Sequence, residues 1–224
     1  MNNHGVYMMT QINTTMKPRL QEYGAYNSLF RTNGLHISLV DALCEKIDNS
    51  RDAMIRYSIP NGSIYVDRIS NRVLAYVDTV GMSKEDFCNY GNVFRDKNNT
   101  NQGIGKHGIG GKAADYLFTG SSGIALHVSK RNEEYLFQLW NFKNMDQEYT
   151  DKCNDSLLTT NIIDSEPFTD RISLVNEIKN MYPMFADVER VLNKYFDEHT
   201  WCTVSLYYTN DEIPWEDTNC KETR

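Results

Sequence analysis

Three short stretches hold residue types that can do chemistry. The first is Glu45-Lys-Ile-Asp-Asn49-Ser-Arg-Asp52, where a carboxylate and a carboxamide stand one helical turn apart. Such a pair can offer a proton acceptor and an oxygen ligand from one helix face. The second is Asp78-Thr-Val-Gly81-Met82, an acid at the end of an alternating run, followed by a turn glycine. An acid placed there can hold a polar group of a ligand, or it can simply cap the turn. The third is Gly103-Ile-Gly-Lys-His-Gly-Ile-Gly-Gly-Lys112, with five glycines in nine residues. Glycines that open a helix leave backbone N–H groups exposed at the positive end of its dipole, where phosphate is the usual guest.

The first stretch belongs to a helical pattern from Leu35 to Arg56. Leu39, Leu43, Ile47 and Met54 recur at helical spacing and predict the core-facing stripe. Ser38, Asp41, Glu45, Asp48, Asn49 and Asp52 share the opposite side. Asp41 with Glu45, and Asp48 with Asp52, are like-charge i,i+4 pairs, each costing roughly 0.2–0.5 kcal/mol. Alone, this face reads as solvated. The two other stretches make it a face aimed at a cation and a phosphate.

The chain of 224 residues suits one sizeable domain, read as 18–210, with an N-terminal arm at 1–17 and a polar tail or linker at 211–224. Its net charge of −7 sets up no global basic field for nucleic acid. Five cysteines without a C-x-x-C pair argue for a reducing compartment, cytoplasmic or nuclear, and against disulfides or a zinc site. No secretory leader is read at the N-terminus, and no run approaches the roughly 18 apolar residues of a membrane span.

In order, Pro18 opens a helical piece to Phe30, and the 35–56 helix stops near Tyr57. Alternation over 63–70 and 72–78 predicts an antiparallel hairpin. Ser83 caps a short helix through Phe94. Residues 95–102 contain no apolar side chain and read as a mobile loop. A helix follows Gly111, then strands at 123–129 and 134–141, an irregular region at 143–168, helices at 170–182 and 184–198, and a last strand at 200–208.

Three templates compete for 103–112. Gly103, Gly105 and Gly108 fit G-x-G-x-x-G, but that fingerprint must follow a strand directly, and polar residues precede it here. This counts against a nicotinamide-dependent enzyme. A P-loop would need glycine at 106, which is Lys106, and Ser or Thr at 113, which is Ala113. Gly105, Gly108 and Gly110 fit G-x-x-G-x-G without conflict.

In that form the three stretches resemble, in order, the motifs of the GHKL ATP-binding domain. Gyrase B, heat-shock chaperone ATPases, histidine kinases, MutL and the MORC proteins share this domain. Glu45 to Ala53 resembles its E-x-x-x-N-x-x-D-A helix, Asp78 to Met82 its adenine loop shortened by one residue, and Gly105 to Lys112 its phosphate loop. Ile47-Asp-Asn49 and Gly110-Gly-Lys112 are nearest to MORC and MutL.

The resemblance implies an α+β fold: a two-layer Bergerat-type sandwich with a mixed, mostly antiparallel sheet covered by helices on one face. It implies ATP and Mg²⁺ as cofactors. Adenine would lie against Asp78, Gly81 and Met82, with Thr200 or its rival Thr203 beside it. Asn49 would hold the metal. Gly105, Gly108, Ile109 and Gly110 would cradle the phosphates, with Lys112 or Lys106 adding charge. Lys112 has a second reading as a solvent-facing helix-start lysine. Glu45 would activate water, as in the members that hydrolyse ATP. Residues 95–102 would be the lid, closing in a conformational or dimerisation switch. A non-hydrolysing, ATP-gated interaction module is the alternative. Beyond ATP and a nucleotide-dependent homodimer, no client, protein or DNA, is legible.

Overall fold

The structure, a computed structural model, describes residues 16–19 (backbone only), 38–91, 110–120, 123–142 and 162–210. Helix α1 (Leu39–Arg56) is started by Ser38, whose hydroxyl accepts from the Asp41 N–H while the Asp41 carboxylate accepts from the Ser38 N–H. This reciprocal box satisfies N–H groups that lack helical partners. Asp41 is therefore a cap residue rather than a merely solvated acid, and its bonds to Ser38 hold its carboxyl below the usual range.

Strands β2 (Ile64–Ser70) and β3 (Val73–Asp78) form the expected hairpin. Helix α2 (Lys84–Gly91) follows, started by a Ser83–Asp86 box. Helix α3 (Gly110–Thr119), β4 (Ile124–Arg131) and β5 (Glu134–Asn141) come next. Then come β6 (Ile162–Ser165), α4 (Arg171–Met181), a 3₁₀ turn at Pro183–Phe185, α5 (Val188–Phe196) and β7 (Trp201–Tyr208). With β1 (Met16–Arg19), the strands form one seven-stranded sheet, ordered β1-β6-β5-β4-β7-β3-β2.

The α+β class and the antiparallel character agree with expectation. Every pairing among the described strands is antiparallel, so no parallel pair makes the sheet mixed. The helices cover both faces instead of one. On one face, Val73, Ala75 and Val77, Ile124, Leu126 and Val128, and Val204 and Leu206 meet α4 and α5 through Leu174, Ile178, Val191, Leu192 and Phe196. On the other face, Leu74, Tyr76, Ala125, Trp140 and Tyr207 meet α1 and α3 through Ala42, Ala114 and Phe118. Strand side chains alternate between faces, so β3, β4, β5 and β7 each supply both cores. Each large apolar side chain fully buried contributes about 1.5–3 kcal/mol.

Three local readings change. Pro18 and Arg19 lie in β1 rather than opening a helix, and 20–37 lie outside the described residues. Proline is tolerated there because β1 is an edge strand. Ile162–Ser165 is a strand inside the stretch read as irregular, and Phe168 makes a further antiparallel bridge to Tyr135. Four residues are too few to show a period. The core stripe of α1 also shifts: Leu39 and Leu43 pack half-buried against the core as expected, but Ala42, Lys46 and Ser50 are its buried residues, and Ile47 is 37% exposed.

The two faces differ in chemistry. The face toward α4 and α5 is apolar, whereas the face toward α1 and α3 buries Ser50, His127, Gln138, Thr203 and Ser205. Buried polar groups are retained where partners or ligands satisfy them, so the second face is where a site belongs.

Candidate nucleotide site

Asp78 ends β3 under α1. Ser50 Oγ donates to its Oδ2 at 2.7 Å, and the Val80 N–H donates to Oδ1 at 3.1 Å. The Ser50 proton is thereby committed, so the Tyr76 hydroxyl, 2.8 Å away, donates to Ser50. Asp78 keeps some accessible surface, yet burial still pushes its carboxyl up, against Ser50, Val80, Lys46 and His127.

The turn after Asp78 requires Gly81. Its φ is +66°, and a Cβ there would lie 2.6 Å from the Lys130 carbonyl oxygen. Met82 is fixed to β4, its N–H donating to Ser129 Oγ at 2.6 Å while Ser129 Oγ donates to Met82 O at 2.9 Å.

Glu45 and Asn49 are exposed on α1 and face the start of α3. A Cβ on Gly110 would lie 2.1 Å from Glu45 Oε2, and one on Gly111 would lie 3.2 Å from Asn49 Nδ2. The two glycines thus admit the side chains of α1 to the N-terminal end of α3, where the helix dipole is positive. Asn49 Nδ2 donates to the Glu45 carbonyl at 2.7 Å, leaving Oδ1 as the oxygen it can offer.

The remaining site expectations divide. Lys112 is not solvent-facing: it is 3% exposed, with Nζ 4.9 Å from the centre of the Tyr90 ring. Thr200 is exposed just before β7, and its carbonyl accepts from the Asn132 N–H. Thr203 pairs in register with Asp78, is 4% exposed, and its Oγ1 has no hydrogen-bond partner in the protein. An unsatisfied buried hydroxyl beside Asp78 suits a ligand contact. Gly105, Lys106, Gly108, Ile109 and the lid at 95–102 lie outside the described residues.

Beneath the site runs a network that helical periodicity alone does not reveal. Lys46 Nζ, next to Glu45 in the chain, lies 2.8 Å from Asp115 Oδ1. The Tyr207 hydroxyl donates to the same oxygen at 2.8 Å, and the Tyr90 hydroxyl donates to Oδ2. His127 Nε2 faces Oδ2 at 3.1 Å without a well-directed hydrogen bond, and its Nδ1 is 2.8 Å from Ser205 Oγ. Burial would raise the Asp115 carboxyl, but Lys46 and His127 hold it well below the usual range. Burial also depresses His127, against the pull of Asp115. The only sequence signal was a lysine on the inner side of an amphipathic helix.

These shifts fix a pH dependence. A folded-state pKa below the unfolded value of 6.5 means that, as pH falls through 6.5, the unfolded chain binds a proton at His127 before the folded chain does. Stability therefore drops on that side. Asp115 adds a second loss as pH falls below 3.8. Asp78, raised, works oppositely, its contribution fading as pH rises from 3.8 through its folded value. The melting temperature is expected to fall between about pH 7 and pH 5.5, and His127→Gln to flatten that slope in a thermal scan.

A family model described as histidine kinase-, DNA gyrase B-, and HSP90-like ATPase matches residues 37–171, more than half of the chain. The chain belongs to this ATPase family. The match spans Glu45, Asn49, Asp78 and Gly110 and stops before β7, so Thr203 lies beyond it. A comparison with curated proteins finds no match. The match supports the GHKL superfamily, whose domains bind ATP. Among the described residues, no cluster of three or more His, Cys, Asp or Glu forms a metal site, and no helix is long and apolar enough to cross a membrane. Asn49 Oδ1 is an oxygen donor that α1 presents at the α1–α3 face. Such a donor suits Mg²⁺, which takes oxygen ligands and keeps several waters.

Proposed function

We propose that the protein binds ATP with Mg²⁺ and hydrolyses it slowly. The observation that carries this reading is the approach of Glu45 and Asn49 to the glycine-opened end of α3. Asp78 accepts from the exocyclic amine of adenine, and Thr203, rather than Thr200, adds its hydroxyl beside it. Gly81 and Met82 wall the base. Backbone N–H groups at the start of α3 receive the terminal phosphates. Asn49 Oδ1 would hold Mg²⁺, which neutralises phosphate charge when bound.

Glu45 orients a water and accepts its proton as the water oxygen bonds to the γ-phosphorus and the bond to the ADP oxygen breaks. Positioning and charge neutralisation supply most of the acceleration in such transfer. Turnover then serves as a switch for a homodimer or a partner contact, and the motif details favour kinship with MORC and MutL.

Asp78→Asn tests the adenine contact. It turns a charged acceptor into a group that also presents N–H donors. Losing a hydrogen bond to a charged group costs about 1.5–3 kcal/mol, so the ATP dissociation constant is expected to rise by roughly 10–150-fold in an equilibrium titration. Unchanged affinity removes Asp78 from the adenine site, and a wild type that fails to bind ATP overturns the proposal.

A further inference from the structure

We propose that Lys46 and Asp115 are positioning residues for hydrolysis: their buried pair sets the distance between Glu45 and the glycine-opened end of α3. The inference rests on the hydrolase reading and adds residues to it that touch no nucleotide.

Lys46 follows Glu45 in α1, so the backbone that seats one seats the other. Asp115 stands five residues after Gly110 in α3, about 7.5 Å along the axis. The two helices are rigid over that span, so any slide between Lys46 and Asp115 moves Glu45 against Gly110 equally. The approach itself is close. Glu45 Oε2 occupies space within 2.1 Å of where a Cβ on Gly110 would be.

The pair also has one seat. The Lys46 ammonium lies 5.5–5.8 Å from the ring centres of Tyr76, Tyr90 and Tyr207. Tyr90 brings a third element into register, because its hydroxyl donates to Asp115 and lies 3.3 Å from the Gly111 carbonyl oxygen. A carboxylate taking directed bonds from an ammonium and two phenols fixes orientation, whereas apolar side chains of equal volume would only fill the space.

The experiment compares wild type with Lys46→Met/Asp115→Asn, which removes both charges together and keeps the volumes. The double variant is expected to melt near the wild type and to bind ATP within about threefold, while kcat falls by roughly 10–100-fold with little change in KM. A kcat within about threefold of wild type in the folded double variant overturns the inference. Tyr90→Phe, which leaves both charges in place, guards against a double variant that fails to fold. It is expected to lose roughly tenfold in kcat, and an unchanged kcat there also overturns the inference. A wild type without Glu45-dependent turnover defeats the hydrolase reading first, and the positioning role with it.

Discussion

Glu45→Gln is expected to lower ATP turnover by about 10²–10⁴-fold while ATP affinity stays within about threefold. Glutamine keeps the length and the hydrogen-bonding shape of the side chain but accepts no proton near neutral pH. The loss therefore falls on proton transfer from water. Affinity should persist because the contacts proposed for adenine and the phosphates come from Asp78, Thr203 and the backbone of α3, not from Glu45. Steady-state kinetics with a separate binding titration check this. Turnover equal to wild type would remove Glu45 as the base, whereas a wild type that binds ATP without turning it over would favour a non-hydrolysing, ATP-gated module. Gly110→Ala reaches the same group another way. Alanine favours the helix by up to about 1 kcal/mol, yet its Cβ would displace the Glu45 carboxylate. It should leave the fold intact and impair turnover.

Asp115→Asn is expected to destabilise the protein by about 3–5 kcal/mol, because it leaves the Lys46 ammonium buried without its anion. Lys46 and Asp115 are 7% and 0% exposed, so water cannot repair the loss. At roughly 2–4 °C per kcal/mol for a chain of this size, the melting temperature should drop by about 6–20 °C. Glu189→Gln is the control. Its partner Lys179 is also close, at 2.6 Å, but the pair lies at the surface, where water and salt screen it and its loss costs little. Equal effects in the two variants would show that the buried network does not hold α1 to α3.

The sequence by itself determined the local elements of the site. Period-3.6 and period-2 patterns marked α1, the β2–β3 hairpin, β4, β5 and β7, since those signals are short-range. Glycine spacing marked the start of α3, because the backbone freedom there depends on nothing distant. Residue type also marked Glu45, Asn49 and Asp78 as groups of chemical interest.

Only the tertiary structure decided which residues meet. β7, near the C-terminal end of the described chain, inserts between β3 and β4, so Thr203 rather than Thr200 stands opposite Asp78. A register is a choice between partners far apart in sequence, and one step along a strand reverses the face each side chain occupies. The same closure turned Lys46 inward and Ile47 outward on α1. Asp115, 69 residues further along, offers the lysine an anion, and neither residue alone carries that information. The helices at 171–181 and 188–196 showed their apolar sides in the sequence, but not that the sheet would be covered on its second face. Both faces of a strand bear apolar residues when both are buried, and alternation within one strand says nothing of which helix covers which face.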